Sequence, residues 1–330
     1  MPVTFMPLQE NIKEHLTNFH ITDKPTGGFT SPSNKFAVYT PSKEETIKIA
    51  NLIERHTGLK LDEKTRRGDL KISFISRDEA FKLSRDYHSS LLRELKLEQT
   101  AYDYLFKRIT KTLAEDYKTV NGYYHRLSGA IYLVNENLEG FIKDWSVGLI
   151  KRGVIAGKLE GIFRKKPDEK ALERTTKFAV LGTTTHESVH KTLNENNPML
   201  ERKTLVLAAQ RWALSSKLPE VNEKEGEKIA KSILSLDSQI NAIKIFDEAI
   251  AYFVEHRVMC DMGFSAESSL HFANLKKQRP DIAKGIAFFE EVEHIANKNP
   301  IPLVYKNLPV SMHEIENPKA YLRRTTGWRV

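Results

Sequence analysis

Phe178-Ala179-Val180-Leu181-Gly182-Thr183-Thr184-Thr185-His186-Glu187-Ser188-Val189-His190 is the stretch on which the fold turns. It lies inside a helical pattern running from about Ala171 to Asn194. So apolar an approach marks a helix that is buried rather than lying on the surface. On a helix, residues four apart project from one face, so His186 and His190 stand one turn apart with their imidazoles on the same side. Both rings can then reach a single Zn²⁺ at about 2.0–2.1 Å. Glu187 points to the flank beside the first histidine, where it can act on a metal-bound water rather than on the metal. His-Glu-x-x-His thus supplies two ligands and a general base within one turn. The alternative is two histidines on a solvated face, and the apolar approach argues against it.

A zinc site needs a third protein ligand and an open position for water. The single cysteine, Cys260, excludes a disulfide framework and a cysteine-only metal site, which leaves histidine and carboxylate. Downstream, Ile245-Phe246-Asp247-Glu248-Ala249-Ile250-Ala251-Tyr252-Phe253-Val254-Glu255-His256 reads as a helix, apolar nearly all round, with two adjacent carboxylates near its start. Burying a carboxylate without a counter-charge is costly, and a Zn²⁺ would compensate it. Glu248, followed by the small residues Ala249 and Ala251 that let helices approach closely, is the expected ligand. Asp247, Glu255 and His256 are the alternatives, and pairing with an Arg or facing water would equally satisfy Asp247.

Upstream, strand and helix signals alternate. Leu8 to Phe19 reads as a short helix, and the Gly/Pro/Ser-rich stretch Thr22 to Lys35 as a loop. Phe36–Thr40 has the composition of a strand. Ser42-Lys43-Glu44-Glu45 then carries the capping-box pattern that opens a helix to about Arg55. A second strand signal, Leu70–Ile75, is followed by a second box, Ser76-Arg77-Asp78-Glu79, and by helical character to about Lys118. Strand, helix, strand, helix in this order predicts a parallel pair with a right-handed crossover. Gly129–Asn135 is a third strand, Leu138–Lys151 is mixed in pattern, and Lys158–Lys170 reads as an exposed basic loop. Tyr123-Tyr124 and Phe288-Phe289 read as core aromatics. Past Asn194 the chain is nearly all helical, broken at Asn196-Asn197-Pro198 and over Ser215 to Glu227. The expected fold class is α+β, mostly helical, with a small mixed sheet. An N-terminal α/β lobe (residues 1–195) ends in the histidine helix, a helical C-terminal lobe (196–330) carries the glutamate, and the cleft lies between them.

Together, His186-Glu187-Ser188-Val189-His190 and the later Asp247-Glu248-Ala249-Ile250-Ala251-Tyr252 helix resemble the gluzincin branch of the zincin metallopeptidases. The resemblance implies one zinc per chain, held by His186, His190 and Glu248, with Glu187 as the catalytic base. It implies a zincin-like fold in which an edge strand, here Gly129–Asn135, lies above the active-site helix and pairs with substrate main chain. The implied activity is hydrolysis of peptide bonds in a peptide or protein substrate by a zinc-bound water that Glu187 activates. No Gly-x-Met-Glu-Asn amine-binding segment is present, which favours an endopeptidase. An additional oxyanion donor would come from His271, His294, Tyr305 or His313. The chain departs from the family pattern at Lys191-Thr192, where an uncharged and then a hydrophobic residue are usual. It departs again at Tyr252, where many members carry an Asp that supports a ligand imidazole. That supporting role then falls to Asp247, Glu255, Tyr252 or a carbonyl, with Asp247 first.

Composition bounds the remaining readings. In 330 residues, 40% hydrophobic and 28% charged, a substantial core is available, and a disordered or collagen-like chain is excluded. The net charge of +8 is modest for this length and reads as a solvated basic surface more readily than as a nucleic-acid footprint. Gly27-Gly28 lacks the lysine that a phosphate-binding Walker loop needs. The first residues show no signal-peptide pattern, and no apolar run approaches the ~20 residues that cross a bilayer. A cytoplasmic protein without membrane association is therefore expected. The competing functional reading is a basic interaction protein that binds nucleic acid or another acidic partner, its histidine pair incidental or holding a structural metal.

Overall fold

Ser42 and Ser76 start the first two long helices. The computed structural model describes residues 39–160 and 166–327. Each serine hydroxyl accepts from the backbone N–H three residues on, and Glu45 and Glu79 accept in return from the serine N–H at 2.9 Å. These reciprocal bonds satisfy donors that a helix start otherwise leaves open. The helices so begun are α1 (Lys43–Thr57) and, after α2 (Glu63–Arg66) and strand β1 (Ile72–Ile75), α3 (Arg77–Glu94). Next come α4 (Gln99–Asp116), the hairpin β2 (Gly122–His125) and β3 (Ala130–Val134), then α5 (Asn135–Lys151). A short antiparallel pair, β4 (Leu159–Glu160) and β5 (Lys166–Pro167), precedes α6 (Glu169–Asn196), which carries the histidines. The rest is helical: α7 (Met199–Ser215), α8 (Glu223–Asp261), α9 (Ser265–Gln278), α10 (Pro280–Ala296), α11 (Ile301–Lys306), α12 (Met312–Glu316) and α13 (Pro318–Thr326). The class is α+β and mostly helical, with a small mixed sheet, as expected.

The three-stranded sheet has the order β1-β3-β2. β1 runs parallel to β3, with Ile72 opposite Ile131, and β2 runs antiparallel to it, with Tyr123 opposite Tyr132. The parallel partner of β1 among the described residues is β3. Of the strand expected over Phe36–Thr40, residues 36–38 lie outside the described residues, and Tyr39 and Thr40 form no strand. The helix expected over Leu8–Phe19 and the loop over Thr22–Lys35 also lie outside them. One expectation is corrected here: β3 is the central strand and not the edge. Ala130, Ile131, Leu133 and Val134 are all buried, as a strand covered on both faces must be. The edge strand against α6 is β2, whose half-buried Tyr123-Tyr124 pair read only as core. Gly129, at a φ of 64°, closes the hairpin in a conformation open to glycine. Gly122 brings β2 onto α6: a Cβ there would meet Thr183 Cγ2 at 2.6 Å and the Tyr132 carbonyl at 3.0 Å.

Leu138–Lys151, mixed in pattern, is the body of α5. Leu138, Ile142 and Leu149 form its buried stripe, and the polar residues Asn137 and Ser146 on the same face disguise the period. Asn137 is satisfied there, since Nδ2 donates to the carbonyls of Tyr117 (3.0 Å) and Val120 (2.6 Å) and Oδ1 accepts from Arg77. Of the loop expected over Lys158–Lys170, residues 161–165 lie outside the described residues, and α6 begins at Glu169, capped by Asp168.

The largest core cluster takes Ile49 and Ile53 from α1, Phe178 and Leu193 from α6, Phe246 and Phe253 from α8, and Phe288 and Phe289 from α10. α8 is its spine, with α1, α6, α7, α9 and α10 packed along its 39 residues. α10 comes closest at Gly285, where a Cβ would lie 2.6 Å from that of Ala249 and 2.9 Å from Ile245 Cγ2. The small side chains around Glu248 thus let α10 press on one side of its turn while α6 faces the other. Among the described residues no helix is long and apolar enough to cross a membrane.

Candidate metal centre

α6 is buried over most of its surface between Phe178 and Leu193, so its polar groups need partners. Thr185, Ser188 and Thr192 turn their hydroxyls back onto carbonyls one turn earlier, at 2.7–2.8 Å. Lys191, unusual for the family pattern, is only 8% exposed in its side chain. Its Nζ donates to Asp62 at 2.5 Å, Thr65 at 2.8 Å and Glu195 at 2.5 Å, tying α6 to the start of α2 and drawing the cation away from the histidine face. Burial opposes charge on Asp62, but hydrogen bonds from Lys191 and Thr65 outweigh it and hold the carboxyl well below the usual range. A carboxyl depressed in this way contributes stability above its unfolded pKa of about 3.9 and loses it as pH falls through the folded value. Lys191→Met is therefore expected to destabilise the fold by about 1–3 kcal/mol at neutral pH. Urea melts should show this penalty shrinking below about pH 4; a loss of stability that stays constant into acid would contradict the pairing.

The histidines present their Nε2 atoms 3.1 Å apart. Glu248 of α8 brings Oε2 to 3.7 Å from His186 Nε2 and Oε1 to 3.7 Å from His190 Nε2. Ligand atoms around a tetrahedral ion with bonds of about 2.0–2.1 Å stand about 3.3–3.4 Å apart. The donor set therefore has the size and chemistry a zinc requires. Among the described residues, these three form the only such group of three or more His, Cys, Asp or Glu. Behind them, His190 Nδ1 lies 3.2 Å from Asp247 Oδ2 and His186 Nδ1 lies 3.1 Å from Glu255 Oε2. Each imidazole is thus oriented by a carboxylate on its outer nitrogen, which turns the lone pair of Nε2 inward.

The structure distributes the supporting roles in a way the sequence reading reached only partly. Asp247 stands behind His190. Tyr252 bonds neither imidazole; its ring packs on His186, with centroids 4.4 Å apart. The partner of His186 is Glu255, seven residues after Glu248 and so two turns along the same face of α8. That seven-residue spacing was the available signal. Gly182 leaves room for it, since a Cβ there would lie 3.2 Å from Glu255 Oε1. His256 is turned elsewhere, with Nδ1 2.9 Å from Ser268 Oγ and its ring stacked on Phe272.

Electrostatics follow from four carboxylates around two imidazoles. Burial disfavours charge on His186, but Glu248 and Glu255 outweigh it and hold its pKa well above the ordinary value. Burial likewise acts against His190, yet Asp247 and Glu248 push it up to about 9. For Glu248 burial works upward, and His186 and His190 hold it down at about 2. Such a site attracts a cation, and a metal taken up there would displace protons. Glu187 sits beside the cluster, 7% exposed, and its burial pushes its carboxyl up against the pull of both histidines.

Of the four oxyanion-donor candidates, the structure brings one near. His271 lies with its ring 6.5 Å from that of Tyr252, amid Phe141, Trp145 and Phe178, and its burial lowers its pKa. Tyr305 is buried, with its hydroxyl committed to the Leu193 carbonyl, and His294 and His313 are exposed on α10 and α12. No protein-family model matches the chain, and neither a curated protein nor a solved structure matches it.

Proposed function

We propose that the protein is a zinc-dependent peptidase of the gluzincin type, with a zincin-like arrangement around α6 and α8. One observation carries the reading: the two Nε2 atoms and the Glu248 carboxylate converge at ligand spacing while each Nδ1 is held by its own carboxylate. His186, His190 and Glu248 would hold the zinc, whose Lewis acidity polarises a carbonyl and makes water acidic. Glu187, raised by burial toward the range of a working base, takes the proton of the attacking water and passes it to the leaving amine. Tyr252, packed on His186, and His271, 6.5 Å from Tyr252, make no hydrogen bond among the described residues, which supports them as donors to a developing oxyanion. Strand β2, at the sheet edge and against α6, offers the main chain to which an extended substrate adds. Addition along an edge reaches both sides of the scissile bond, which favours internal cleavage.

Metal analysis of the purified protein beside His186→Ala tests this. The wild type is expected to carry one zinc per chain and to hydrolyse peptides until a chelator is added, while the variant carries little zinc. Equal and negligible zinc in both would remove the reading and favour a basic protein that binds an acidic partner.

A further inference from the structure

We infer that Lys244 and Arg279 form a carboxylate-recognition subsite at the mouth of the metal centre, so that the preferred substrate carries a negative group near the bond to be cleaved. The inference rests on the peptidase reading and names its substrate class.

The centre is most exposed at its two adjacent α8 carboxylates. The side chains of Asp247 and Glu248 are 37% and 41% exposed, against 11% and 15% for His186 and His190. Lys244 stands one turn before Glu248 on α8, which puts the two Cβ atoms about 5–6 Å apart on one face. It is exposed and makes no hydrogen bond or ion pair among the described residues. Arg279 sits at the junction of α9 and α10, and α10 is seated through Gly285 on Ile245 and Ala249, the same turn of α8. Its guanidinium is held from behind by Asp281, with Nε and Nη2 at 3.1 and 2.9 Å, and Nη1 is left over. The side chain remains 52% exposed.

Arg279 lies within the field of Glu248 and Tyr252, and Asp116, at the end of α4, lies within the fields of Lys244, Arg279 and Glu248. No ion pair joins Asp116 to either cation among the described residues. A centre built with Glu187, Asp247, Glu248 and Glu255 repels anions, so two cations beside its exposed carboxylates reverse the preference where a substrate enters. A fork already fixed by Asp281 loses little freedom on binding, and an ammonium beside it completes a carboxylate site. The carboxylate can be an Asp or Glu side chain or the C-terminus of the peptide.

Zinc-loaded Glu187→Gln protein allows binding to be read without turnover. Fluorescence anisotropy would compare labelled peptides identical except for an internal Glu or Gln, each with a free or an amidated C-terminus. A carboxylate-bearing peptide is expected to bind about tenfold more tightly than its neutral counterpart, a size typical of one charge-assisted contact. The arm that carries the preference identifies the source of the carboxylate. Adding Lys244→Glu and Arg279→Glu should invert the preference toward a Lys-containing peptide, with zinc content and circular dichroism as checks on folding. No charge preference in the parent protein, or the same preference after charge reversal, overturns the inference. Turnover by the wild type is measured separately: charge-selective binding that depends on these two residues, without any hydrolysis, would retain the subsite and remove the peptidase.

Discussion

Glu187→Gln is expected to lower kcat/KM for peptide hydrolysis by about 10²–10⁴-fold, the usual worth of a positioned general base, while leaving one zinc per chain. The glutamine keeps the shape of the side chain and cannot accept a proton. The proposed ligand atoms belong to His186, His190 and Glu248, so metal content has no reason to change. The variant should also be no less stable. Glu187 is almost fully buried, and burial raises its carboxyl. A group raised in the folded state destabilises the fold at pH values above its unfolded pKa, the reverse of the depressed Asp62. In chelator-treated protein near neutral pH, the variant is therefore expected to melt at the same temperature as the wild type or higher. Hydrolysis retained at the wild-type rate in a folded, zinc-loaded variant would falsify the role assigned to Glu187.

Zinc affinity should respond next most strongly to the carboxylates behind the histidines. Glu255→Gln and Asp247→Asn are each expected to weaken zinc binding by about 10–100-fold, read by competition with a chromophoric chelator. Both replacements keep the length of the side chain, so the loss reports the charge that favours Nδ1–H and aims Nε2. Of the two, Glu255 is expected to matter more. It is buried against Gly182, with little solvent to take its place, whereas Asp247 is partly exposed. Tyr252→Phe is the useful contrast. The ring packs on His186 and the hydroxyl makes no hydrogen bond among the described residues, so zinc affinity should hold within a few-fold. If Glu255→Gln bound zinc as tightly as the wild type, the carboxylate would be a packing neighbour of His186 and not its support.

How much of this was legible in the chain depends on the range over which each feature is set. The histidine pair and Glu187 lie within one turn of one helix, and their relation follows from 3.6 residues per turn. The capping boxes at Ser42 and Ser76 are likewise local, and both helices begin where those boxes place them. The choice of Glu248 rested on neighbours along α8 that allow close packing, and Gly285 against Ala249 is that packing.

Other features were hidden because their partners are distant. β2 is four residues long and opens with a glycine, and what makes it an edge strand is the hairpin with β3 and the seat of Gly122 on α6. α5 carries Asn137 and Ser146 on its buried face, which breaks the apolar period until Tyr117, Val120 and Arg77 supply the partners of Asn137. Lys191 looked like a departure from the pattern until Asp62 and Glu195 closed on it.

By itself, then, the sequence determined a mostly helical α+β chain and a helix that presents two histidines and a glutamate, because these depend on periodicity and capping within a few turns. The tertiary structure alone decided which strand forms the edge, that Glu255 stands behind His186, and that Arg279 lies within the field of Glu248. Those depend on contacts far apart in the chain, such as His186 with Glu255, 69 residues away. A long-range contact leaves no period in the sequence; it exists only once α6, α8 and α10 are packed, and burial then requires each charge to have a partner.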